Sequence, residues 1–200
     1  RPESYRIMKE KLEEWGYSSF IDYVSDISKE ILEAGLLPHT NCGTIGPSGL
    51  RRLRKFNASM GMMLETTAEL KAHSESPGKT PEERMKTLQE AGRQKIPFTT
   101  GILVGIGETR EDRIRSLSKI KEIQEEYGHI QEVIIQPFSP KEGTPMENNT
   151  PPKKEELRKT VELAKIILPE TNIQVPANLS SDLVELLKAG ANDIGGISTV

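Results

Sequence analysis

Helical and extended hydrophobic patterns alternate along this chain. Amphipathic periodicity with turn or capping residues at its ends predicts seven helices: Tyr5–Glu14, Ser18–Ala34, Pro47–Lys55, Pro81–Gln94, Arg110–Tyr127, Lys153–Leu168 and Ser181–Lys188. Short apolar runs predict five strands, at 36–41, 56–64, 96–106, 131–138 and 172–176, and Asp193-Ile194 is a further short candidate. This alternation predicts an α/β fold with a parallel sheet.

The order of these elements is typical of a (βα) barrel. Five strands are too few to close a barrel, so we expect residues 1–200 to form one domain that is a partial (βα) TIM-like barrel. In such barrels the ligand site lies on the loops that follow the carboxyl ends of the strands. This rule selects His39, Thr40, Asn41, Glu65, Thr66, Glu108, Gln136 and Lys141.

The segment Lys95–Glu108, KIPFTTGILVGIGE, combines an apolar strand with regularly placed glycines. Gly101, Gly105 and Gly107 remove side chains where a backbone must lie close to a neighbour or a ligand. A strand that runs through glycines into the beginning of a helix suits a flat, polar ligand. The segment therefore predicts a small-molecule site on a βα scaffold.

Each candidate residue also has a purely structural explanation. His39 follows a proline and is explained equally well as a turn residue. Glu65 and Glu108 are explained as acidic residues that favour the first turn of a following helix. Arg84 lies in a charge-rich helix and is explained as a solvated surface residue. Position alone leaves these alternatives open.

Composition narrows the classes of partner. The formal net charge is −3, so the chain lacks the basic footprint of a nucleic-acid-binding protein. No apolar run is long enough to span a bilayer and no signal peptide opens the chain, which favours a cytoplasmic protein without a membrane partner. Cys42 is the single cysteine, so neither an internal disulfide nor an all-cysteine metal site is expected, and no metal ligand is assigned.

Sequence motifs add a family resemblance. Gly101–Glu108, GILVGIGE, resembles the G-x-[IL]-x-G-x-x-E strand of the radical S-adenosylmethionine (SAM) superfamily, which contributes to the adenine site. Six blocks in order resemble the deazaflavin synthase family more closely: HTNCG (39–43), NASMGMMLE (57–65), SPGKTPEER (76–84), KIPFTTGILVGIGET (95–109), YGHIQEVIIQPFSPKEGTPM (127–146) and NDIGGIS (192–198). The resemblance covers essentially the whole chain.

This resemblance implies a partial barrel of the radical SAM type and a lyase activity. The enzymes resembled use SAM and a reduced 4Fe-4S cluster to form a 5′-deoxyadenosyl radical. They complete the deazaflavin ring from a tyrosine-derived adduct of 5-amino-6-(ribitylamino)uracil, with release of ammonia. The implied partners are this small-molecule substrate, a companion synthase subunit that makes the adduct, and an electron donor such as ferredoxin or flavodoxin.

The resemblance also assigns roles to residues. Glu65 would accept hydrogen bonds from the ribose or the methionyl ammonium of SAM, and Arg84 would pair with the methionyl carboxylate. The adenine side is assigned to the glycine strand and its neighbour, through Gly101, Leu103, Gly105, Glu108 and Ile135. The substrate side is assigned to His39, Thr40 and Asn41.

One family feature is missing. The cysteine motif C-x-x-x-C-x-x-C is absent, and one cysteine cannot supply the three thiolates of the cluster. We therefore expect the first two βα units, the cluster ligands and a C-terminal tail to lie outside these 200 residues, which alone would be inactive. The alternatives are another radical SAM enzyme, either the companion adduct synthase or a menaquinone-pathway type, and a cluster-free nucleotide-binding barrel.

Overall fold

A single parallel sheet organises the chain. The computed structural model describes residues 5–74 and 76–197. Six strands pair in the order in which they occur along the chain: β1 (His39–Thr40), β2 (Ser59–Gly61), β3 (Phe98–Val104), β4 (Ile130–Pro137), β5 (Asn172–Pro176) and β6 (Asp193–Gly195). A parallel sheet that adds each strand beside the last winds in one direction and curls as part of a barrel. The α/β partial barrel is therefore confirmed, with a sixth strand where the pattern gave only a short candidate.

Helices alternate with the strands and cover one face of the sheet. They are α1 (Arg6–Glu14), α2 (Phe20–Glu33), α3 (Pro47–Leu53), α4 (Pro81–Arg93), α5 (Arg110–Tyr127), α6 (Lys154–Ile167) and α7 (Leu183–Lys188). Three short 3₁₀ turns, which the sequence pattern does not predict, lie at Lys71–His73, Pro77–Lys79 and Ala177–Leu179. Two of these turns stand between β2 and α4, beside the carboxyl ends of the strands.

The two faces of the sheet differ in character. Along β3, Phe98, Ile102 and Val104 are at most 1% exposed and belong to the core between sheet and helices. Successive strand residues point to opposite faces, so Thr99 and Leu103 face the concave side of the curled sheet. In barrel proteins the ligand site lies on the loops that follow the carboxyl ends of the strands, at the upper end of this concave face.

Local sequence fixes α5 where the periodicity predicted it. Thr109 accepts a hydrogen bond from the backbone of Asp112, and the Asp112 carboxylate accepts one from the backbone of Thr109, which forms a capping box. Gly128 ends the helix in the left-handed conformation, with φ of 64°. The residues that cap the helix are its immediate sequence neighbours, so both ends of the helix, Arg110 and Tyr127, could be predicted from the sequence.

The first two strands are shorter than their apolar runs predict. β1 has only one partner among the described residues, and its register with β2 covers two residue pairs. After Gly61 the chain stays extended but leaves the regular ladder, and it returns to pair with β3 at an isolated bridge between Glu65 and Ile102. The strand end is thus set by pairing with a distant segment. The last residue of the NDIGGIS block, Ser198, lies outside the described residues.

We expect Gly101→Ala to destabilise the protein strongly. A Cβ atom at this position would lie 2.2 Å from the backbone oxygen of Ile134, so β3 and β4 would have to separate. The expected loss in free energy of unfolding is about 3 kcal/mol, the upper part of the range for overpacking. Chemical denaturation measures it. Gly46→Ala is the control, because a Cβ there meets no atom within 4 Å, and equal stability of both variants would contradict the account.

Candidate functional site

Glu65 lies at the carboxyl end of β2, held by the backbone of β3. Its N–H donates to the carbonyl of Gly101 at 3.0 Å, and its own carbonyl accepts from the N–H of Leu103 at 2.9 Å. Its φ is 65°, in the left-handed region that residues other than glycine rarely adopt. Such a conformation persists where neighbouring contacts fix it, and it is commonest at functional sites. The backbone therefore places this carboxylate at the mouth of the curled sheet.

Three basic side chains converge on the Glu65 carboxylate. Oε1 lies 3.1 Å from Nη1 of Arg84, and Oε2 lies 2.7 Å from Nε2 of His73 and 3.1 Å from Nζ of Lys79. Burial by itself would raise the pKa of Glu65, but His73, Arg84 and Lys79 outweigh it and lower this pKa to about 2. The group is thus a fixed anion at neutral pH, able to accept from hydroxyls or to pair with a cation.

Arg84 is a buried member of this cluster. It lies in the first turn of α4 and is only 6% exposed, which excludes the alternative of a solvated surface residue. Nε donates to the carbonyl of Gly78 at 3.1 Å, and Nη1 donates to the carbonyl of Met63. Burial lowers the pKa of Arg84 and the Glu65 carboxylate raises it. The guanidinium is therefore oriented by backbone groups on both sides.

The glycine strand leads into a loop that Glu108 holds. Its two carboxylate oxygens each accept a backbone N–H at 2.8 Å, one from Gly105 and one from Ile106, and Arg113 Nε donates at 2.7 Å. Gly105 has φ of 97°, which a side chain would strain. Glu108 is 8% exposed. Because its carboxylate binds two backbone N–H groups of this loop, it stabilises the loop conformation. Its direct contact with a cofactor stays a prediction.

The remaining adenine-side candidates lie on opposite faces of the sheet. Leu103 is partly exposed on the concave face, beside the backbone of Glu65. Ile135 pairs with Ile102 and is fully buried against the helices, so only its backbone is available to a ligand on the concave side. Its neighbours Ile134 and Gln136 are the β4 residues that face that side.

His39 faces the concave side at the edge of the sheet. Its Nδ1 lies 2.7 Å from the hydroxyl of Ser59. The imidazole lies over Gly61, where a Cβ atom would come within 2.7 Å of Nε2. Burial lowers the pKa of His39, which favours the neutral ring at neutral pH. Of the three residues assigned to the substrate side, His39 is the one whose side chain lies on the concave face of the sheet.

Thr40 and Asn41 do not lie beside His39 on that face. Thr40 is 6% exposed, and its hydroxyl donates to the side-chain oxygen of Asn57 at 2.6 Å on the helix side of β1. Asn41 is exposed in the loop after β1, where its side-chain oxygen accepts from the backbone of Gly43 at 3.4 Å. The structure thus separates the three residues, and their contact with substrate stays a prediction.

A row of polar side chains crosses the concave face and was missed in the sequence. The Thr99 hydroxyl donates to Oε1 of Glu132 at 2.7 Å. Nε2 of Gln174 donates to Oε2 of Glu132 at 2.8 Å and to Oδ2 of Asp193 at 3.1 Å. These four residues come from four neighbouring strands. The available signal was a polar residue in each of four successive strands.

Glu132 and Asp193 lie close enough for a shared hydrogen bond to shift the pKa of both carboxyl groups. Burial, and secondly the hydrogen bond with Asp193, raise the pKa of Glu132. The same hydrogen bond lowers the pKa of Asp193. No lysine or arginine in the described part of the chain forms a salt bridge with either carboxyl group. The hydroxyl, amide and carboxyl groups of the row together offer donors and acceptors, so the row can orient a ligand with hydroxyl or amino groups.

His73 and Lys79 were also missed in the sequence. Both lie in the 3₁₀ turns between β2 and α4, where no hydrophobic periodicity marks their position. Nδ1 of His73 is buried and has no hydrogen-bond partner among the described residues. Buried polar atoms without a hydrogen-bond partner are uncommon in folded proteins. A bound ligand can supply the missing partner.

The described residues contain no group of three or more His, Cys, Asp and Glu side chains that could hold a metal ion. Cys42 is free, and burial raises the pKa of its thiol, which disfavours the thiolate that an iron-sulfur cluster needs. In the part of the chain that the structure covers, no helix has the length and apolar character to cross a membrane.

Solved structures with a similar fold include a synthase and a hydrogenase maturase. Methylornithine synthase (PylB) matches with a TM-score of 0.73 at 24% identity, over 89% of this chain and 51% of PylB. HydG, a maturase of the FeFe-hydrogenase, matches with a TM-score of 0.76 at 15% identity, over 87% of this chain and 41% of HydG. At these identities the likeness concerns the fold, which is a partial barrel of the radical SAM type.

No protein-family model matches the chain, but curated relatives match it along its length. The 7,8-didemethyl-8-hydroxy-5-deazariboflavin synthase of Archaeoglobus fulgidus is 56% identical over 199 residues, which are 99% of this chain and 61% of the relative. The protein of the same name from Methanococcoides burtonii is 58% identical over 189 residues, 94% of this chain and 57% of the relative. The resemblance to the deazaflavin synthases is thus confirmed, for a chain that spans about three fifths of their length.

We expect Glu108→Ala to destabilise the fold, because it removes three buried hydrogen bonds at once and deprives Arg113 of one of its two carboxylate partners. Breaking a buried ion pair from one side costs about 3–5 kcal/mol. The free energy of unfolding measures it. The control is Glu111→Ala, at an exposed position in the first turn of α5. This substitution should change stability by less than about 0.5 kcal/mol. Similar values for the two variants would contradict the structural role of Glu108.

We expect Glu132→Gln to flatten the dependence of stability on pH. The pKa of Glu132 is raised above 4.5 in the folded state, so its contribution is present below that pH and is lost as pH rises through the folded value. The amide keeps a donor toward Asp193 and does not titrate. The melting temperature of the wild type should therefore fall more than that of the variant from pH 4.5 upward. Parallel curves would refute this, and Glu170→Gln, at an exposed position, is the control.

Proposed function

We propose that this chain supplies the SAM-binding part of a radical SAM lyase. This lyase completes the deazaflavin ring from a tyrosine-derived adduct of 5-amino-6-(ribitylamino)uracil and releases ammonia. The observation that carries the proposal is the Glu65–Arg84 pair at the carboxyl end of β2, next to the glycine strand, in a chain whose curated relatives bear the deazaflavin synthase name.

The residues present fit SAM. Glu65 offers an anion to the ribose hydroxyls or the methionyl ammonium, and Arg84 offers a cation to the methionyl carboxylate. Gly107 leaves open space for the flat adenine, since a Cβ there would meet no atom within 4 Å, whereas Gly101 and Gly105 allow the close packing of Ile134 and Pro152 that shapes the strand and loop beside it. His73 has an unpaired buried nitrogen beside this site. When bound, SAM supplies the group that abstracts hydrogen from the substrate.

The same residues do not fit a 4Fe-4S cluster. Cys42 is the only cysteine of the sequence, whereas a radical SAM cluster needs three thiolates. We therefore place the cluster ligands of the whole protein outside these 200 residues and expect the 200 residues alone to be inactive. An electron donor such as ferredoxin or flavodoxin would reduce that cluster in the cytoplasm.

The concave face offers groups suited to the substrate. The adduct carries a ribityl chain with several hydroxyls and an amino nitrogen that leaves as ammonia. The row Thr99, Glu132, Gln174 and Asp193 provides donors and acceptors for such groups. We propose that this row orients the adduct while the neutral His39 ring bounds the site at the edge strand. A companion subunit would deliver the adduct.

The full-length protein, reconstituted anaerobically with iron and sulfide, tests this function. With reductant and SAM, it should form 5′-deoxyadenosine and convert the adduct to the deazaflavin with release of ammonia. Activity on tyrosine plus the diaminouracil would instead indicate the companion adduct synthase. Bound cluster without SAM cleavage would overturn the proposal.

We expect Glu65→Ala and Arg84→Ala each to weaken SAM binding to the full-length protein. Loss of a charge-assisted hydrogen bond costs about 1.5–3 kcal/mol, which is about 10- to 150-fold in the dissociation constant. The two side chains pair with each other, so the double variant should lose less than the sum of the two effects. Calorimetric titration measures these constants, with the exposed Glu69→Ala as control. Wild-type affinity in both variants would refute the assignment.

A further inference from the structure

Lys79 differs from the other two donors around Glu65 in its exposure. The side chains of His73 and Arg84 are 9% and 8% exposed, whereas that of Lys79 is 40% exposed. Lys79 and His73 share one carboxylate oxygen, Oε2, while Arg84 holds the other. Oε2 therefore already accepts from two donors, and a ligand group that binds this oxygen must replace one of them.

The other contacts of each donor determine which one can move away from Glu65. Arg84 also bonds to the carbonyls of Gly78 and Met63 and cannot turn away without stranding buried groups. His73 is buried, and its removal would leave a polar ring without any partner. The Lys79 ammonium has no second hydrogen-bond partner in the described part of the chain, and its flexible stem already reaches solvent. Its departure exposes a cation to water at little cost.

The space next to Lys79 favours anions. Lys79 and Arg84 line an open groove of about 1140 Å³ whose wall also carries Arg51, Arg52 and Lys55. Asp22 is the single acidic residue among the described lining residues, and it is already paired with Arg52 at 2.9 Å. A lysine that leaves Glu65 on this side therefore stands in a basic environment, where a ligand carboxylate would relieve the repulsion between like charges.

We propose that Lys79 is an exchangeable donor that gives up the Oε2 atom of Glu65 to a hydroxyl or ammonium group of the ligand and then pairs with the ligand's carboxylate. The identity of the ligand as SAM rests on the proposed function. The exchange makes Lys79 a specificity-determining residue, because a ligand must carry both a donor for Glu65 and a carboxylate to gain the full benefit. Arg84 remains the fixed cation of the site.

Two ligands that differ only in the carboxylate test this inference. We would titrate the full-length protein with SAM and with decarboxylated SAM, which keeps the ribose and the amino group. Lys79→Met should weaken SAM binding about 5- to 20-fold and leave binding of the decarboxylated compound unchanged or tighter. Lys79→Arg should bind SAM within about 3-fold of the wild type. Lys119→Met is the matched control, since the Lys119 side chain is 39% exposed, close to the 40% of Lys79, and pairs with Glu122 on α5, outside the groove.

Other results would overturn the inference. Equal weakening of both ligands by Lys79→Met would show that Lys79 only shapes the site. Unchanged SAM affinity, or tighter SAM binding, would show that Lys79 makes no contact with the carboxylate. Failure of the wild-type protein to bind SAM at all would instead reject the proposed function, so the two failures are distinguishable.

Discussion

The ionised carboxylate of Glu65 is the interaction on which the site depends. The backbone of β3 fixes this residue at a positive φ, and three basic side chains keep its pKa near 2. A buried anion without such partners would cost several kcal/mol and would take up a proton instead. The loop with His73 and Lys79 therefore packs onto the carboxyl end of β2 because the charge of Glu65 requires it.

Glycines in the sheet allow the close packing on which this arrangement depends. Gly101 lets β3 and β4 lie close enough for the strands to pair, and Gly61 makes room for the ring of His39. The helix-facing residues form a continuous apolar core, which leaves the concave face free for polar groups. The result is two polar zones, a charged one at the mouth around Glu65 and a largely neutral one deeper on the sheet around Glu132.

The sequence predicted those parts whose causes are local. Helix α5 was predictable because its capping residues and periodicity lie within it, and the barrel order followed from the alternation of elements. Glu65 was found from its position at the end of a predicted strand, whereas its role and the choice of Arg84 came from the family resemblance. His73 and Lys79 were not found, because a 3₁₀ turn has no hydrophobic period. Asp193 escaped because its contact with Glu132 joins strands that are 61 residues apart in the chain, at positions 132 and 193. Likewise, the ends of β1 and β2 depend on pairing with distant backbone.

The most direct test of the account is a crystal structure of the full-length protein with its cluster and SAM. The account predicts that SAM lies at the carboxyl ends of β2 and β3, with a hydroxyl or ammonium group within hydrogen-bond distance of Glu65 and the adenine beside Gly107. SAM bound elsewhere, with Glu65 still enclosed by His73, Lys79 and Arg84, would contradict the central claim and leave this cluster a purely structural feature.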